Sequence, residues 1–300
     1  MRRVWALGLL LVVAGCSPAR MGMNRMADTL SATASAYARD NDPEFVRTAA
    51  PATLKMVEML LDAAPAHRGL LETACSGFTQ YAYAFLQVES QLLADRDAAA
   101  AAELAGRAAR MYVRARGYCI GAVRVTRPAL AAALEGDRTG VPALLERAGR
   151  EDVPALYWTA VSWAGELGTA GNPLTRLGEL PVVRSLLTRA LQLDESWGQG
   201  AIHEAMIALE GLPPLLGGSA ARARTHFERA VALTDGRSAF AYVTFAASVA
   251  LPAGNRTEFE SLLKRALAVE PDSAPELRLA NLIAQKRARH LLAGAGTLFR

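Results

Sequence analysis

The fold is decided by the stretch Ala-Arg-Thr-His-Phe-Glu-Arg-Ala-Val at residues 223–231. Its apolar members stand at positions i, i+4, i+7 and i+8, which form one stripe on an α-helix: Ala223, Phe227, Ala230 and Val231. A helix with such a stripe buries it against a neighbour. The stretch therefore predicts a helix that packs on a partner helix.

A four-residue motif within this stretch, a large apolar residue followed by any residue and then Arg-Ala, occurs five times in the chain. The copies are Tyr112–Ala115, Leu145–Ala148, Leu187–Ala190, Phe227–Ala230 and Leu263–Ala266. A period of about 33–42 residues is typical of stacked helical hairpins, none of which buries its apolar face alone. The repeats resemble the second helix of a tetratricopeptide repeat (TPR), but the markers of the first helix are mostly missing. We expect a solenoid of degenerate, TPR-like helical hairpins.

Helical periodicity, caps and breakers predict an all-α chain of roughly a dozen helices. Asp42 and Pro43 are expected to begin the first helix of the body, which is interrupted at Pro51 and ends before Pro65. No stretch of six or more residues has the alternation and β-branched content of a strand. The other helices are expected at about 68–93, 98–123, 128–135, 142–149, 152–168, 179–193, 197–210, 219–233, 237–250, 255–269 and 273–292.

The composition is that of a folded protein without a nucleic-acid surface. Apolar residues make up 52% of the chain and charged residues 21%, which excludes a disordered class. The formal net charge is +4, and the basic residues alternate with acidic ones along the predicted helix faces. We therefore expect no nucleic acid among the partners.

The N-terminus resembles a bacterial lipoprotein signal. Two arginines precede an apolar run at residues 4–13, which is too short to span a bilayer, and small residues then lead to Cys16. The resemblance implies that Cys16 is lipidated, for example with palmitate, and that Ser17 directs the protein to the periplasmic side of the outer membrane rather than the inner one. An ordinary secretory signal is the alternative. The expected divisions are a signal peptide at 1–15, a lipidated N-terminus and spacer at 16–41, and an all-α TPR-like domain at 42–300.

Cys75 and Cys119 each lie on the apolar background of a predicted helix. Two helical cysteines rarely reach the Cα separation of a disulfide by chance. We therefore expect both to be buried free thiols, even in an oxidising compartment.

No catalytic or metal-binding pattern stands out. The four histidines are scattered, and His203-Glu204 lacks the second histidine of the zinc protease motif. No Gly-x-Ser-x-Gly elbow and no phosphate-binding glycine loop is present. The sequence therefore predicts no enzyme, no cofactor and no metal; a hydrolase is the least favoured of the functions weighed.

Two aromatic groups and one apolar loop are the candidate surfaces for a ligand or a partner. Core packing is the favoured explanation of the aromatic groups, and a tight turn is the alternative explanation of the loop. Trp158 and Trp163 diverge by about 140° around a helix, so one could face the core and the other a groove. The candidates are Phe78, Tyr81, Phe85, Tyr157, Trp158, Trp163, Pro213 and Pro214.

Motifs spread over residues 40–292 resemble one family. They are Gly77-Phe78, Tyr81–Phe85, Leu156–Ala160, Trp163, Leu212–Pro214, Gly217-Gly218, Ala223, His226–Ala230, Phe259-Glu260, Leu262-Leu263, Ala266-Leu267, Arg278–Asn281 and Gln285–Ala288. The chain is similar to the T component (TatT-like) of tripartite ATP-independent periplasmic (TRAP) transporters.

The resemblance implies an all-helical periplasmic lipoprotein that associates with the solute-binding subunit of the transporter. It also implies an internal cavity or pore that holds or channels an apolar or organic-acid ligand. The alternative is a ligand-free helical scaffold of an envelope complex. Self-association stays open.

Overall fold

The computed structural model describes residues 36–169 and 173–299, and every regular element within these ranges is helical. The α-helices are α1 Pro43–Ala63, α2 Arg68–Tyr81, α3 Val88–Leu93, α4 Ala98–Thr126, α5 Pro128–Glu135, α6 Val141–Leu145, α7 Val153–Thr169, α8 Leu180–Leu193, α9 Ala201–Glu210, α10 Ala220–Leu233, α11 Ala239–Phe245, α12 Arg256–Ala268, α13 Arg278–Ala293 and α14 Ala295–Leu298. Two π-helical turns, Ala82–Gln87 and Ala246–Ala250, join α2 to α3 and extend α11. The prediction of an all-α fold is confirmed.

Local sequence signals set most helix ends. The Asp42 carboxylate accepts hydrogen bonds from the backbone N–H groups of Glu44 and Phe45, and Pro43 is the first residue of α1, as predicted. Ser219 caps α10 in the same way. The predicted helix at 142–149 is shorter, because α6 ends at Leu145.

The expected interruption at Pro51 is wrong, because α1 runs unbroken from Pro43 to Ala63. Buried residues continue on both sides of the proline, from Val46 and Ala50 to Leu54. Pro51 itself is exposed, so its ring faces solvent. Burial of the continuous apolar stripe offsets the cost of about 3 kcal/mol for proline inside a helix.

The repeated motif faces inward in all five copies. The large apolar residue that opens each copy and the alanine that closes it are buried, with no more than 7% of either side chain exposed. The predicted burial of Phe227, Ala230, Leu263 and Ala266 is therefore confirmed. The helices pack mainly on near neighbours in the chain: α2 on α4, α4 on α7, α7 on α8, α9 on α10, and α11 on α12 and α13. A TPR-like arrangement of these helices stays a prediction.

The two ends of the described chain meet, since α13 packs against α1 and α3. Ile283 of α13 shares an apolar cluster with Val46 and Phe85. Polar contacts reinforce this closure: the Lys286 ammonium pairs with Glu89, and the Arg278 guanidinium donates to the Arg39 carbonyl at 2.8 Å. The helices therefore close on one another and enclose a space.

The expectation of free thiols is wrong. Cys75 of α2 and Cys119 of α4 form a disulfide with a Cα–Cα distance of 4.8 Å. The close packing of α2 on α4 brings the two positions within disulfide range, which neither local sequence reveals.

The predicted signal peptide, Cys16 and most of the spacer lie outside the described residues, so these assignments stay predictions. Within the described ranges, no helix combines the length and the hydropathy that crossing a bilayer requires.

Candidate functional site

A cavity of about 440 Å³ lies inside the closed arrangement of helices. Its walls come from α1, α2, the first π-helical turn, α7, α9, α11 and α13. Most of the lining is apolar or aromatic, which is typical of ligand sites of this size. Gln80, Gly198, Glu276 and Ala280 are lining residues that are also exposed, so they mark where the cavity reaches the surface.

Three aromatic side chains form one wall. The ring of Tyr157 lies 4.8 Å from Trp158 and 4.7 Å from Trp197, and the two tryptophans are 6.4 Å apart, centroid to centroid. Tyr157 and Trp158 belong to α7, whereas Trp197 opens the turn that leads into α9. That turn requires left-handed backbone at Gly198 and Gly200, where φ is +60° and +88°. We call these three residues the aromatic wall.

A second group of aromatic side chains in the lining lies at and around the π-helical turn Ala82–Gln87. Tyr83 of this turn contacts Phe240 of α11 at 5.4 Å, and Tyr81 contacts Phe85 at 5.5 Å, centroid to centroid. All four side chains line the cavity. A π-helical turn has i→i+5 hydrogen bonds in place of the i→i+4 bonds of an α-helix, and such turns are frequent at functional sites.

Glu204 of α9 brings the main polar group into the cavity wall. It accepts a hydrogen bond from the hydroxyl of Ser238, the residue that precedes α11. Burial raises the pKa of the Glu204 carboxyl to about 7, although the bond from Ser238 opposes this effect. Burial and the nearby charge of Glu204 raise the pKa of Tyr157, whose phenol therefore stays neutral.

The predicted candidates divide into two groups. Tyr81, Phe85, Tyr157 and Trp158 come together around the cavity. Their role in ligand or partner binding stays a prediction.

The other candidates do not line the cavity. Phe78 stacks on Tyr118 at 5.9 Å. Trp163 is fully buried and donates its indole N–H to Glu179 at 2.5 Å. Pro213 and Pro214 lie in the loop before α10, apart from the cavity.

Sequence reasoning missed Trp197, Tyr83, Phe240, Glu204 and Ser238 as members of the site. Glu204 had one usable signal, since it interrupts the apolar residues of α9 as a lone carboxylate between Ala201 and Ala205. The others come from elements that meet only in the folded chain.

The arrangement is suited to holding a small molecule. Ser238 contacts a carboxylate and not an imidazole, so it is not the serine–histidine pair of a hydrolase. In the described ranges no group of three or more His, Cys, Asp and Glu side chains is placed to hold a metal ion. Aromatic side chains and one half-buried carboxyl line the cavity of this all-helical protein.

Comparison with known families places this protein among transport components. The family model for the TRAP transporter T-component matches residues 39–299, which is most of the chain. The chain belongs to this family, and the resemblance noted in the sequence is confirmed. The family is a transport-associated component and not a family of enzymes. A relative from Treponema pallidum (strain Nichols), described as an uncharacterized protein, is 29% identical, with 98% of this chain and 96% of the relative aligned.

Proposed function

We propose that this protein binds the apolar part of a transported molecule in its cavity while it associates with the solute-binding subunit of a TRAP transporter. The observation that carries the proposal is the largely apolar cavity between the helices of a chain that belongs to the T-component family. Its volume of about 440 Å³ lies in the range of small-molecule sites. The helices follow one another as degenerate TPR-like repeats, and their closure supplies the walls.

A neutral apolar probe tests the ligand-binding part of this proposal. Decanol binding to the full-length protein is measured by isothermal titration calorimetry. Ala201→Phe and Ala84→Phe each add a ring to the cavity wall and should weaken binding by about tenfold or more. Ala232→Phe, on the exposed face of α10, is the matched control and should bind like the wild type. Absence of decanol binding to the wild type would favour a ligand-free scaffold.

The loop before α10 supports association with a protein partner. Its 3₁₀ turn at Pro214–Leu216 carries Leu215 with 95% of the side chain exposed. Contact of this side chain with a partner would remove its apolar surface from water and so favour the complex. The predicted candidates Pro213 and Pro214 fix this turn.

A binding measurement with the purified solute-binding subunit of the same organism tests this surface. Leu215→Asp should weaken the complex by about tenfold or more, because a charge replaces the buried apolar contact. Leu298→Asp, at an exposed leucine of α14, should leave the affinity unchanged. No complex with the wild type, or equal weakening by both variants, would contradict the proposed surface.

The same proposal places the protein on the periplasmic side of the outer membrane, anchored through Cys16. The support is the lipoprotein-like signal at residues 1–16. Labelling with radioactive palmitate and membrane fractionation on a density gradient test it. Cys16→Ala should lose both the label and the membrane association, whereas label retained by this variant would contradict the anchor.

A further inference from the structure

The charged groups that the described residues bring to the cavity are acidic. Among the lining residues within 36–169 and 173–299, the charged ones are Glu204 and Glu276, and none is Lys, Arg or His. Glu276 is exposed where the cavity reaches the surface, and Glu204 lies deeper, beside Ser238. A bound carboxylate would therefore meet like charge and find no cation.

Glu204, which is half-buried, differs from the fully buried acids elsewhere in the described chain, each of which pairs with arginine. Glu58 pairs with Arg114. The remaining pairs are Asp152 with Arg127, Glu166 with Arg116 and Arg176, and Glu210 with Arg184 and Arg222. The hydrogen bond from Ser238 is the polar contact that the described residues supply to Glu204. One carboxylate in an apolar wall thus lacks the cation that its counterparts have.

The aromatic wall lies close to this carboxylate. Its three rings line the same cavity as Glu204, and Trp197 opens the turn that leads into α9, the helix that carries Glu204. Aromatic faces attract cations, and aromatic side chains grouped around a site recognise ammonium groups. Carboxylate and rings together form a receptor for positive charge.

We propose that the cavity selects molecules with an apolar body and a protonated amine, that Glu204 pairs with the amine, and that carboxylate anions are excluded. This inference rests on the proposed function, in which the cavity binds a ligand. The amine supplies the cation that Glu204 lacks, and the aromatic wall replaces part of the hydration that the ammonium loses. An organic acid of the same size would place a second carboxylate near Glu204.

Three probes with the same ten-carbon chain separate the head groups: decylammonium, decanol and decanoate. Binding to the full-length protein is measured by calorimetry at about pH 8, above the pKa of about 7 for Glu204, so that its carboxyl is ionised. Decylammonium should bind about tenfold or more tightly than decanol, which corresponds to about 1.4 kcal/mol, and decanoate should bind most weakly. Decanoate binding as tight as decylammonium would overturn the inference.

Two variants identify the groups responsible. Glu204→Gln should remove the preference for decylammonium over decanol while decanol still binds. Glu228→Gln, at an exposed position of α10 outside the cavity lining, should keep the preference. If Glu204→Gln does not fold, Trp197→Leu should reduce decylammonium binding more than decanol binding, because only the cation uses the ring face. A preference that survives both Glu204→Gln and Trp197→Leu would overturn the inference.

The probes also separate failure of this inference from failure of the proposed function. Binding of decanol without any preference for decylammonium overturns the head-group assignment alone. Absence of binding by all three probes overturns the ligand-binding function, and the head-group assignment with it.

Discussion

At the scale of single residues, Glu204 and the pair His203–His226 are ionisable groups whose surroundings shift their pKa and so make stability depend on pH. Glu204 lies in an apolar wall with Ser238 as its polar contact. His203 is buried between Glu195 and His226, and its Nε2 lies 3.1 Å from the Glu195 carboxylate. These groups lie on α9, on α10 and in the turn before α9, so both sites share one region of the fold.

Replacement of Glu204 by Gln should change how stability depends on pH. Burial raises the pKa of Glu204 from 4.5 to about 7. The stability that depends on a protonated carboxyl here is therefore fully present below about pH 4.5 and is lost as the pH rises through about 7. The wild type should therefore lose up to about 3 kcal/mol across this window, and Glu204→Gln should not. Urea denaturation at several pH values measures the difference, with Glu276→Gln as the control. If the free energy of unfolding changed with pH in the same way for Glu204→Gln and the wild type, the raised pKa of this carboxyl would be contradicted.

Titration of the pair His203–His226 should change stability with pH in the opposite direction, with a loss as the pH falls. The His203 Nε2–H donates to Glu195, so its Nδ1 accepts the Nδ1–H of His226 at 2.8 Å. Burial lowers the pKa of both rings, so the stability that the neutral pair contributes is present above about pH 6.5 and is lost as the pH falls below it.

His226→Gln should therefore reduce the loss of stability between about pH 7 and 5, since it removes one of the two titrating rings. His290→Gln, on α13 and outside this pair, is the control. The same urea denaturation series measures both variants. A steeper loss in His226→Gln than in the wild type would show that this explanation of the pair is wrong.

Single helices were the most predictable level of the molecule. Helix ends follow local signals such as the Asp42 and Ser219 caps, and the repeated motif marks buried stripes from spacing alone. The π-helical turns and the unbroken α1 were not predictable, because packing against neighbours decides them. The continuous burial on both sides of Pro51 shows how tertiary contacts override a local breaker.

The close approach of α4 and α7 predicts how substitution of a glycine in α7 affects stability. A Cβ atom at Gly165 of α7 would lie 2.4 Å from the ring of Tyr112 in α4, whose hydroxyl donates to Gln87 at 2.5 Å. Gly165→Ala should therefore destabilise the protein by about 1–3 kcal/mol, since the buried ring has to move.

Gly168 lies in the same helix and is the matched control. A Cβ atom there meets no heavy atom within 4 Å, so Gly168→Ala should stabilise by up to about 1 kcal/mol through helix propensity. Urea denaturation of both variants measures the contrast. Equal effects at Gly165 and Gly168 would contradict the packing of α7 on Tyr112.

Closure of the chain on itself creates the cavity at the scale of the whole molecule. The contact of α13 with α1 and α3 joins residues that are far apart in sequence, such as Ile283 and Val46. No pattern in the sequence predicts which distant helices meet. Tyr81, Phe85, Tyr157 and Trp158 were therefore found as aromatic residues, but their common cavity and its carboxylate were not.

The disulfide between α2 and α4 gives a prediction at this scale. Its two cysteines are 44 residues apart, and the bond reduces the conformational entropy of the unfolded chain across that loop. The double variant Cys75→Ala, Cys119→Ala should lose about 2–4 kcal/mol of stability in urea denaturation. A thiol titration of denatured, unreduced Cys16→Ala protein should find no free thiol. Two free thiols per chain would contradict the bond.

The location of a bound probe tests the ligand cavity most directly. Crystals of the protein with decanol that carries a terminal bromine would give an anomalous diffraction peak at the bromine position. We expect the peak between the aromatic wall and Phe240, inside the cavity of about 440 Å³. Bromine found only on the outer surface, or in the same place when Ala201→Phe fills the wall, would contradict the account.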